Sequence, residues 1–310
     1  MHLVRTRIDR NALARFAACG RVLDDDLGYA LHQVLVERFG PDAAPKPFRR
    51  MEPTREARLR TPPLPGGDRE GWDWLLAYAA DPTALVGTGA SVPDPLASWE
   101  RDDMLSAILP EPFERRPMPV EGTGADARWT GPERLSFEVL VRPVRRHGAR
   151  IRALRAKDGR TDGRDRKLRT GTDAQRGSVE FDAFELAVEP LDDDDPRAPT
   201  RAHAYAEWLA ERVAPAAELE RTGDEALLRR FRRTRVLRGR SAAEERSGKG
   251  SAKGRGHRGR GIEQPEALMV GTLRVMDRPA FAALLARGVG RHRAFGFGML
   301  LLRGAPVAGE

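Results

Sequence analysis

The chain of 310 residues has little cysteine, little lysine and no long hydrophobic run. Its one cysteine, Cys19, excludes a disulfide framework and a thiolate-rich zinc site, since both need several sulfur atoms. No stretch approaches the roughly 20 consecutive apolar residues that cross a bilayer, and the first residues, MHLVRTRIDR, lack the apolar region of a secretory signal. We therefore expect a cytoplasmic protein with no membrane contact. No grouping of His, Asp and Glu has metal-ligand spacing, so we expect no metal or other cofactor.

Arginine supplies most of the positive charge, because only five of the 54 basic residues are lysine. The net charge of +8 hides two concentrated segments. Residues 142–176 hold 13 basic residues against 4 acidic ones, and residues 229–260 hold 13 against 2. Two basic segments in an otherwise acidic chain suit a polyanion such as RNA, because contacts with phosphates release condensed counterions. An arginine bias from GC-rich coding is the alternative explanation.

The order of the expected elements predicts the fold class. A strand–helix–strand–strand–helix–strand order in the second half is that of a ferredoxin-like domain, and the first half is compatible with it. We therefore predict an α+β fold with two tandem ferredoxin-like (RRM-like) domains and antiparallel sheets. The predicted division is an N-terminal domain at 1–144, a basic connector or hairpin insertion at 145–177, and a C-terminal domain at 178–310. The low-complexity basic segment 240–261 is expected to be a disordered insert.

Hydrophobic periodicity and capping residues give the expected elements. In the first half we predict a strand at Leu3–Ile8, a helix at Asp24–Phe39, a helix around Trp72–Tyr78, and a strand at Leu135–Val141 that closes the first domain. In the second half we predict a strand at Ser178–Val188, a helix capped by Thr200, paired strands at Leu227–Leu237 and Ala267–Met276, a helix capped by Asp277, and a last strand at Phe295–Leu302.

The sequence GVGRHRAFGFG, Gly288 to Gly298, is the clearest candidate binding element. Its glycines allow the backbone to approach a ligand, and the arginines in and beside it are donors for phosphate oxygens. The order is neither that of a P-loop nor that of a dinucleotide fingerprint, because both of those motifs open a helix. We predict RNA contacts here, from Arg287, Gly288, Gly290, Arg291, His292, Gly296 and Gly298. The alternative is a glycine-rich turn that only lets the last strand pack.

This loop resembles a motif of the CRISPR repeat-processing endoribonucleases, and the chain as a whole resembles their CasE (type I-E) branch. In that family a loop of form G-h-G-x-x-(K/R)-A-h-G-h-G lies just before the last strand, and every glycine of that form is present here. The resemblance extends to the first strand LVRTRI, to a Tyr-x-x-His helix motif at Tyr29 and His32, and to the strand FEVLVRPVRR with its basic end. We expect that basic end, Arg145 and Arg146, to contact RNA as well.

The resemblance implies a metal-independent endoribonuclease that cleaves repeat stem-loops of precursor CRISPR RNA. In such a reaction a 2′-hydroxyl attacks the adjacent phosphate and leaves a 2′,3′-cyclic phosphate and a 5′-hydroxyl. It assigns proton transfer to His32, with Tyr29 as its positioning partner or a phosphate donor, and charge stabilisation to Arg293. His292 is the alternative proton carrier. A histidine on such a helix is otherwise a surface or packing residue.

The expected partners are the repeat RNA stem-loop and the other subunits of a type I-E surveillance complex. Two other hypotheses stay open at this point. The same scaffold could bind and cap the mature RNA without cutting it, or the chain could be a general RNA-binding or ribosome-associated protein with no preference for hairpins.

Overall fold

The computed structural model describes residues 1–19, 27–64, 71–80, 83–85, 98–146, 180–188, 195–220, 227–236 and 262–304. The helices in those ranges are α1 (Arg10–Cys19), α2 (Leu27–Ala43), α3 (Arg55–Arg60), α4 (Ser98–Ile108), α5 (Ala183–Val188), α6 (Arg201–Val213) and α7 (Arg278–Arg287). The strands are β1 (His2–Asp9), β2 (Phe48–Met51), β3 (Trp72–Ala79), β4 (Glu114–Pro117), β5 (Val120–Glu121), β6 (Arg128–Trp129), β7 (Arg134–Val141), β8 (Val144–Arg146), β9 (Glu180–Asp182), β10 (Ala217–Glu220), β11 (Leu228–Val236), β12 (Ile262–Val275) and β13 (Leu300–Gly304). Short 3-10 turns cover Thr83–Leu85, Gly124–Asp126 and Arg293–Phe295.

The N-terminal domain is a four-stranded antiparallel sheet with the strand order β2-β3-β1-β4. Helices α1 and α2 follow β1, and α4 precedes β4, which gives the ferredoxin-like order of elements. The buried side chains of α2 are Ala30, Leu31, Val34 and Leu35, and they join the apolar face of the sheet in one core. This is the apolar face that the sequence pattern predicts for the helix.

The C-terminal domain repeats the arrangement with the strand order β10-β12-β7-β13. Helix α6 lies between β7 and β10 in the chain, and α7 lies between β12 and β13. The long strand β12 also pairs with β11, which extends this sheet to five strands. A second core, built around Trp208, Tyr205 and Phe281, fills the space between the sheet and its helices. The predicted fold class, two ferredoxin-like domains with antiparallel sheets, is confirmed.

The expected place of the strand Leu135–Val141 is wrong. Strand β7 pairs with β12 and β13 in the C-terminal sheet, whereas the N-terminal sheet ends with β4. The C-terminal domain therefore begins at β7, ahead of the predicted start at 178 and inside the range 1–144. The alternation of Leu135, Phe137 and Val139 indicates one buried face, but it carries no information about which sheet that face belongs to.

Two other expected elements differ from the structure. Residues 72–79 form the inner strand β3 instead of a helix, because β3 lies between β1 and β2 and most of its side chains are buried. A continuous apolar run of this kind has no clear period. Of the predicted strand Ser178–Val188, residues 180–188 are described, and they form a short strand, Glu180–Asp182, followed by α5. A carboxylate oxygen of Asp182 accepts a hydrogen bond from the Phe184 amide at 2.9 Å and so starts the helix.

The last strand begins at Leu300 instead of Phe295. Gly296 and Gly298 have φ angles of 87° and 77°, which are incompatible with an extended strand. The two capped helices are confirmed. The Thr200 hydroxyl accepts from the His203 amide at 3.2 Å, and an Asp277 carboxylate oxygen accepts from the Ala280 amide at 2.8 Å.

Two predicted basic segments lie almost entirely outside the described residues: the insert 240–261 wholly, and the connector 145–177 beyond 146. Among the residues that the structure describes, no helix is both long and apolar enough to cross a bilayer.

Contacts between the two domains hold β2 and β3 against the C-terminal sheet. The Tyr78 hydroxyl donates to the Leu300 carbonyl oxygen at 2.5 Å. A guanidinium nitrogen of Arg49, a side chain that is 7% exposed, lies 2.6 Å from a carboxylate oxygen of Glu138. These contacts join β2 and β3 of the N-terminal sheet to β7 and β13 of the C-terminal sheet.

Candidate functional site

The glycine-rich loop between α7 and β13 depends on backbone conformations that favour glycine. Its four glycines have positive φ angles of 73° to 87°; they are Gly288, Gly290, Gly296 and Gly298. His292 has φ 60° and ψ 25°, and it is the one residue other than glycine with a positive φ in the described part of the chain. A left-handed conformation at such a residue costs about 1 kcal/mol or more. Other contacts of His292 must therefore offset that cost.

Three of the glycines also permit close packing. A Cβ on Gly298 would lie 2.2 Å from the Val289 carbonyl oxygen, and one on Gly290 would lie 2.7 Å from the Trp208 ring. One on Gly288 would lie 3.0 Å from Pro47 of the N-terminal domain. The Gly288 and Gly298 amides are used inside the protein, since they donate to the Leu284 and Leu140 carbonyl oxygens at 2.7 Å. The structure thus gives Gly288 and Gly298 a role in shaping the loop, and their amides are already engaged.

Helix α2 meets this loop at the Phe295 ring. The centroid of the Phe295 ring lies 5.5 Å from the centroid of the Tyr29 ring and 5.8 Å from the centroid of the His32 ring. The Phe295 and His32 rings meet edge to face. The His292 ring lies 6.0 Å away. Gly28 makes the approach possible, because a Cβ at that position would lie 2.3 Å from the Phe295 carbonyl oxygen. The structure therefore brings together three predicted residues from opposite ends of the chain, Tyr29, His32 and His292.

An open cleft of about 680 Å³ lies beside Phe295. Its walls come from both domains; the lining residues are Lys46, Pro47, Ala286, Arg287, Gly290, Arg291, His292, Arg293, Ala294 and Phe295. Tyr29 and His32 are not part of this lining, but they contact the Phe295 ring that forms one wall. Lys46, Arg287 and Arg293 around one opening suit an anionic ligand, because their fields add in the cleft.

His32 and Arg293 differ in their protonation at neutral pH. Burial, and to a smaller extent the positive charge of Lys46, lower the pKa of His32 below 6.5. Its imidazole is therefore mostly neutral at neutral pH, the form that accepts a proton. Burial and the nearby Arg287 lower the pKa of Arg293, yet a guanidinium keeps its charge at neutral pH. Arg293 Nη1 donates to the Arg287 carbonyl oxygen at 2.8 Å, which orients its side chain.

Glu180 binds the other two polar residues of the loop. One of its carboxylate oxygens lies 2.8 Å from His292 Nε2, and the other lies 2.9 Å from Arg291 Nε. Burial alone would raise the pKa of Glu180, but the hydrogen bond and charge of His292, a hydrogen bond from Gln264 and the charge of Arg291 lower it to about 2. Arg291 and His292, both predicted to contact RNA, are therefore already bound to a carboxylate.

The predicted Arg145 and Arg146 do not join the cleft lining. A guanidinium nitrogen of Arg145 lies 2.7 Å from a carboxylate oxygen of Glu211 on α6. Arg146 pairs through its backbone with Glu180 in the β8–β9 ladder, and its side chain lies outside the described atoms. Neither arginine has a described contact with the glycine-rich loop.

Three residues of the site were missed by the sequence analysis: Lys46, Glu180 and Phe295 as a contact of Tyr29 and His32. Lys46 offered a weak signal as one of only five lysines, placed directly before a proline. Glu180 offered none, because its partner His292 is 112 residues away in the chain. In the described ranges, no three His, Cys, Asp or Glu side chains form a group that could hold a metal ion.

Comparison with solved structures finds several that span nearly the whole chain at low identity. A CRISPR endoribonuclease Cse3 bound to a 19-nucleotide RNA is 13% identical, with a TM-score of 0.48, over 98% of this chain and 100% of that one. The CRISPR-associated protein Cas6e from Escherichia coli str. K-12 is 15% identical, with a TM-score of 0.39, over 98% and 100%. A chain of a CRISPR RNA-guided surveillance complex is 15% identical, with a TM-score of 0.43, over 97% and 100%.

No curated protein matches the sequence. The protein family described as CRISPR associated protein matches residues 107–304, which is more than half of the chain and includes the whole C-terminal domain with its glycine-rich loop. On this match the chain belongs to the family of CRISPR associated proteins.

Proposed function

We propose that this protein is an endoribonuclease of the CasE (type I-E) branch, which cleaves repeat stem-loops of precursor CRISPR RNA. The observation that carries the proposal is the junction at Phe295, where a helix with Tyr29 and His32 meets a glycine-rich loop beside a cationic cleft. A histidine thus lies near a set of cationic side chains, and cleavage of a phosphodiester needs both proton transfer and stabilisation of charge on the phosphate.

In the proposed reaction the 2′-hydroxyl of the nucleotide before the scissile bond attacks the phosphate. Its proton leaves to a base, the P–O5′ bond breaks, and the 5′-oxygen gains a proton. His32 carries one of these proton transfers, because imidazole has an ordinary pKa close to neutrality, and burial lowers the pKa of His32 and so favours the neutral form that accepts a proton. Tyr29, which contacts the same Phe295 ring, positions the imidazole or donates to a phosphate oxygen.

Arg293 stabilises the charge that develops on the phosphate in the transition state, and it stays protonated throughout. Lys46 and Arg287 add to the positive potential of the cleft. We propose that water carries the proton transfer that His32 does not, and that the reaction is metal-independent with a 2′,3′-cyclic phosphate and a 5′-hydroxyl as product ends.

After cleavage we propose that the protein stays on the product hairpin as a subunit of a type I-E surveillance complex. The arginine-rich strand β11 supports continued binding of the product RNA. Arg229 of this strand is exposed and has no ion pair among the described residues, so it can pair with a phosphate. A cytoplasmic location remains the prediction from sequence.

The decisive experiment incubates the purified protein with a synthetic repeat hairpin in EDTA and identifies the product ends by mass spectrometry. We expect a cyclic phosphate and a 5′-hydroxyl. His32→Ala should lower the single-turnover rate by about 10²- to 10⁴-fold and leave hairpin affinity within threefold. His203→Ala is the matched control, since His203 lies half-exposed on α6 near Glu207 and away from the cleft.

Two outcomes would favour other functions. Tight hairpin binding with no cleavage in EDTA or with Mg²⁺ would identify a non-catalytic subunit that caps the mature RNA. Equal affinity for a hairpin and an unstructured RNA of the same length, in competition at fixed salt, would identify a general RNA-binding protein. Wild-type cleavage by His32→Ala together with loss of cleavage in His292→Ala would move the proton transfer to His292.

A further inference from the structure

Glu180 is the one described carboxylate that binds the glycine-rich loop directly. Its side chain is 6% exposed, and it contacts His292 at 2.8 Å and Arg291 at 2.9 Å. Gln264 Nε2 of β12 donates to it at 3.1 Å. These contacts tie the short strand β9, the sheet and the loop together at one buried point.

The contact acts on a residue in an unfavourable conformation. His292 has the left-handed backbone described above, and its side chain reaches Glu180 from that conformation. The His292 ring also packs on the Phe295 ring, which in turn contacts the rings of Tyr29 and His32. A chain of contacts therefore runs from the Glu180 carboxylate through His292 and Phe295 to the His32 imidazole.

Glu180 also divides the loop arginines into two kinds. The Arg291 guanidinium is paired with Glu180, whereas Arg293 binds the Arg287 carbonyl oxygen and has no carboxylate partner in the described part of the chain. Arg293 thus keeps its full charge for a ligand in the cleft. Pairing also keeps Arg291 from competing for the same anion, because its charge is balanced at short range.

We propose that Glu180 is a positioning residue of this site. By holding His292 and Arg291, it fixes Phe295 against His32 and leaves Arg293 as the arginine of the loop that meets the scissile phosphate. This inference rests on the proposed endoribonuclease function and adds to it a residue that acts through others without touching the RNA.

The test compares Glu180→Gln and Glu180→Ala with Glu185→Gln. Gln at 180 keeps the shape and removes the charge, and Ala removes the contacts. Glu185 is a matched control, because it is a half-buried carboxylate on α5 that pairs with Arg233 at 2.6 Å and does not contact the loop. Each variant is measured for its single-turnover cleavage rate, for its hairpin dissociation constant, and for amide hydrogen exchange of the peptide that spans 288–298.

We expect a split between rate and affinity. Glu180→Ala should cleave at least 10-fold more slowly, with Glu180→Gln in between. Hairpin affinity should stay equal or become up to about threefold tighter, since Arg291 is released and one negative charge is removed. Exchange in the loop should be faster in Glu180→Ala, while Glu185→Gln should match wild type in all three measurements.

A parallel loss of rate and affinity would overturn the proposal in favour of a purely structural role, because a collapsed loop loses Arg287 and Arg293 as well. Unchanged cleavage and unchanged loop exchange in Glu180→Ala would also overturn it. If the wild-type protein failed to cleave RNA, the proposed endoribonuclease function would be wrong. The hydrogen-exchange measurement would still test whether Glu180 holds the loop in place.

Discussion

The ring of Phe295, in the loop before the last strand, meets the ring of His32 edge to face, with 5.8 Å between centroids. His32 lies on a helix of the N-terminal domain, so this contact joins the two domains at the candidate site. Such an aromatic pair contributes roughly 0.5–1.5 kcal/mol beyond its buried area. Its larger importance is geometric, because Phe295 is the only described side chain that contacts Tyr29, His32 and His292 by ring packing.

Replacement of Phe295 by alanine should slow cleavage more than it weakens binding. The His32 and Tyr29 rings lose their common contact, while the cationic residues of the cleft stay. We expect a rate loss of about 10-fold or more and a loss of about 1–2 kcal/mol in the free energy of unfolding, below the range for a fully buried phenylalanine. Phe295→Leu, which keeps apolar volume, should retain more activity. Hairpin cleavage and denaturant titration measure the two effects, and equal activity of both variants with wild type would contradict the role of the ring.

Gly28→Ala should be destabilising although alanine is the better helix former. In a free helix the change stabilises by about 0.5–1 kcal/mol, but here the new Cβ would lie 2.3 Å from the Phe295 carbonyl oxygen. The loop must move, and we expect a loss of about 1–3 kcal/mol together with reduced cleavage.

Gly304→Ala is the control for that change. Gly304 lies in β13, and a Cβ added there would meet no heavy atom within 4 Å, so its effect on stability should stay within about 0.5 kcal/mol. Denaturant titration of both variants makes the comparison. A Gly28→Ala protein as stable as Gly304→Ala would show that the helix and the loop do not touch in solution.

Sequence patterns predicted those parts of the fold whose causes are local. The helices that follow Thr200 and Asp277 start where expected, because a side-chain oxygen and an amide three residues later are enough to form the cap. Both ferredoxin-like domains could be inferred from the order of elements. The sheet to which Leu135–Val141 belongs could not, because strand pairing joins residues more than a hundred positions apart.

The site divides in the same way. The glycine pattern marked the loop, and the Tyr-x-x-His spacing marked the helix, so their residues could be named from sequence. Their contact at Phe295, the approach of Lys46 to His32 and the binding of His292 by Glu180 all depend on how the two domains and β9 pack. Those relations have no signature in a single sequence.

Lys46→Met should change the pH dependence of cleavage. The positive charge of Lys46 adds to burial in lowering the pKa of His32, so removal of that charge should raise this pKa toward its ordinary value. If His32 acts as a base, the acidic limb of the rate profile moves to higher pH. If it acts as an acid, the basic limb moves to higher pH. The same direction is expected in both cases, and the limb that moves identifies the role.

Lys46→Arg is the control, because it keeps a positive charge near the histidine, and its profile should match wild type. Both variants are compared at constant ionic strength, since screening weakens the effect of an exposed charge. A limb that moves to lower pH in Lys46→Met would contradict the assignment to His32.

The buried ion pair between Arg49 and Glu138 should matter more for stability than exposed pairs do. Glu138→Ala leaves the Arg49 guanidinium, 7% exposed, without its carboxylate. Removal of one partner of a fully buried pair costs about 3–5 kcal/mol, and we expect about 2 kcal/mol here because Glu138 is 31% exposed. Arg49→Met should cost less, since it removes the buried cation and leaves a carboxylate that reaches water. The exposed pair Arg5–Glu114 is the reference, and Glu114→Ala should cost below about 1 kcal/mol.

Cleavage should follow the same order, because this ion pair links β2 to β7 and holds α2 near the loop. Glu138→Ala should slow cleavage although the ion pair lies outside the cleft lining, and Glu114→Ala should not. Denaturant midpoints and single-turnover rates measure the two effects on the same three variants. If Glu114→Ala cost as much stability as Glu138→Ala, solvent would screen both ion pairs equally. The relative position of the two domains would then depend on the apolar contacts and on the Tyr78–Leu300 hydrogen bond instead.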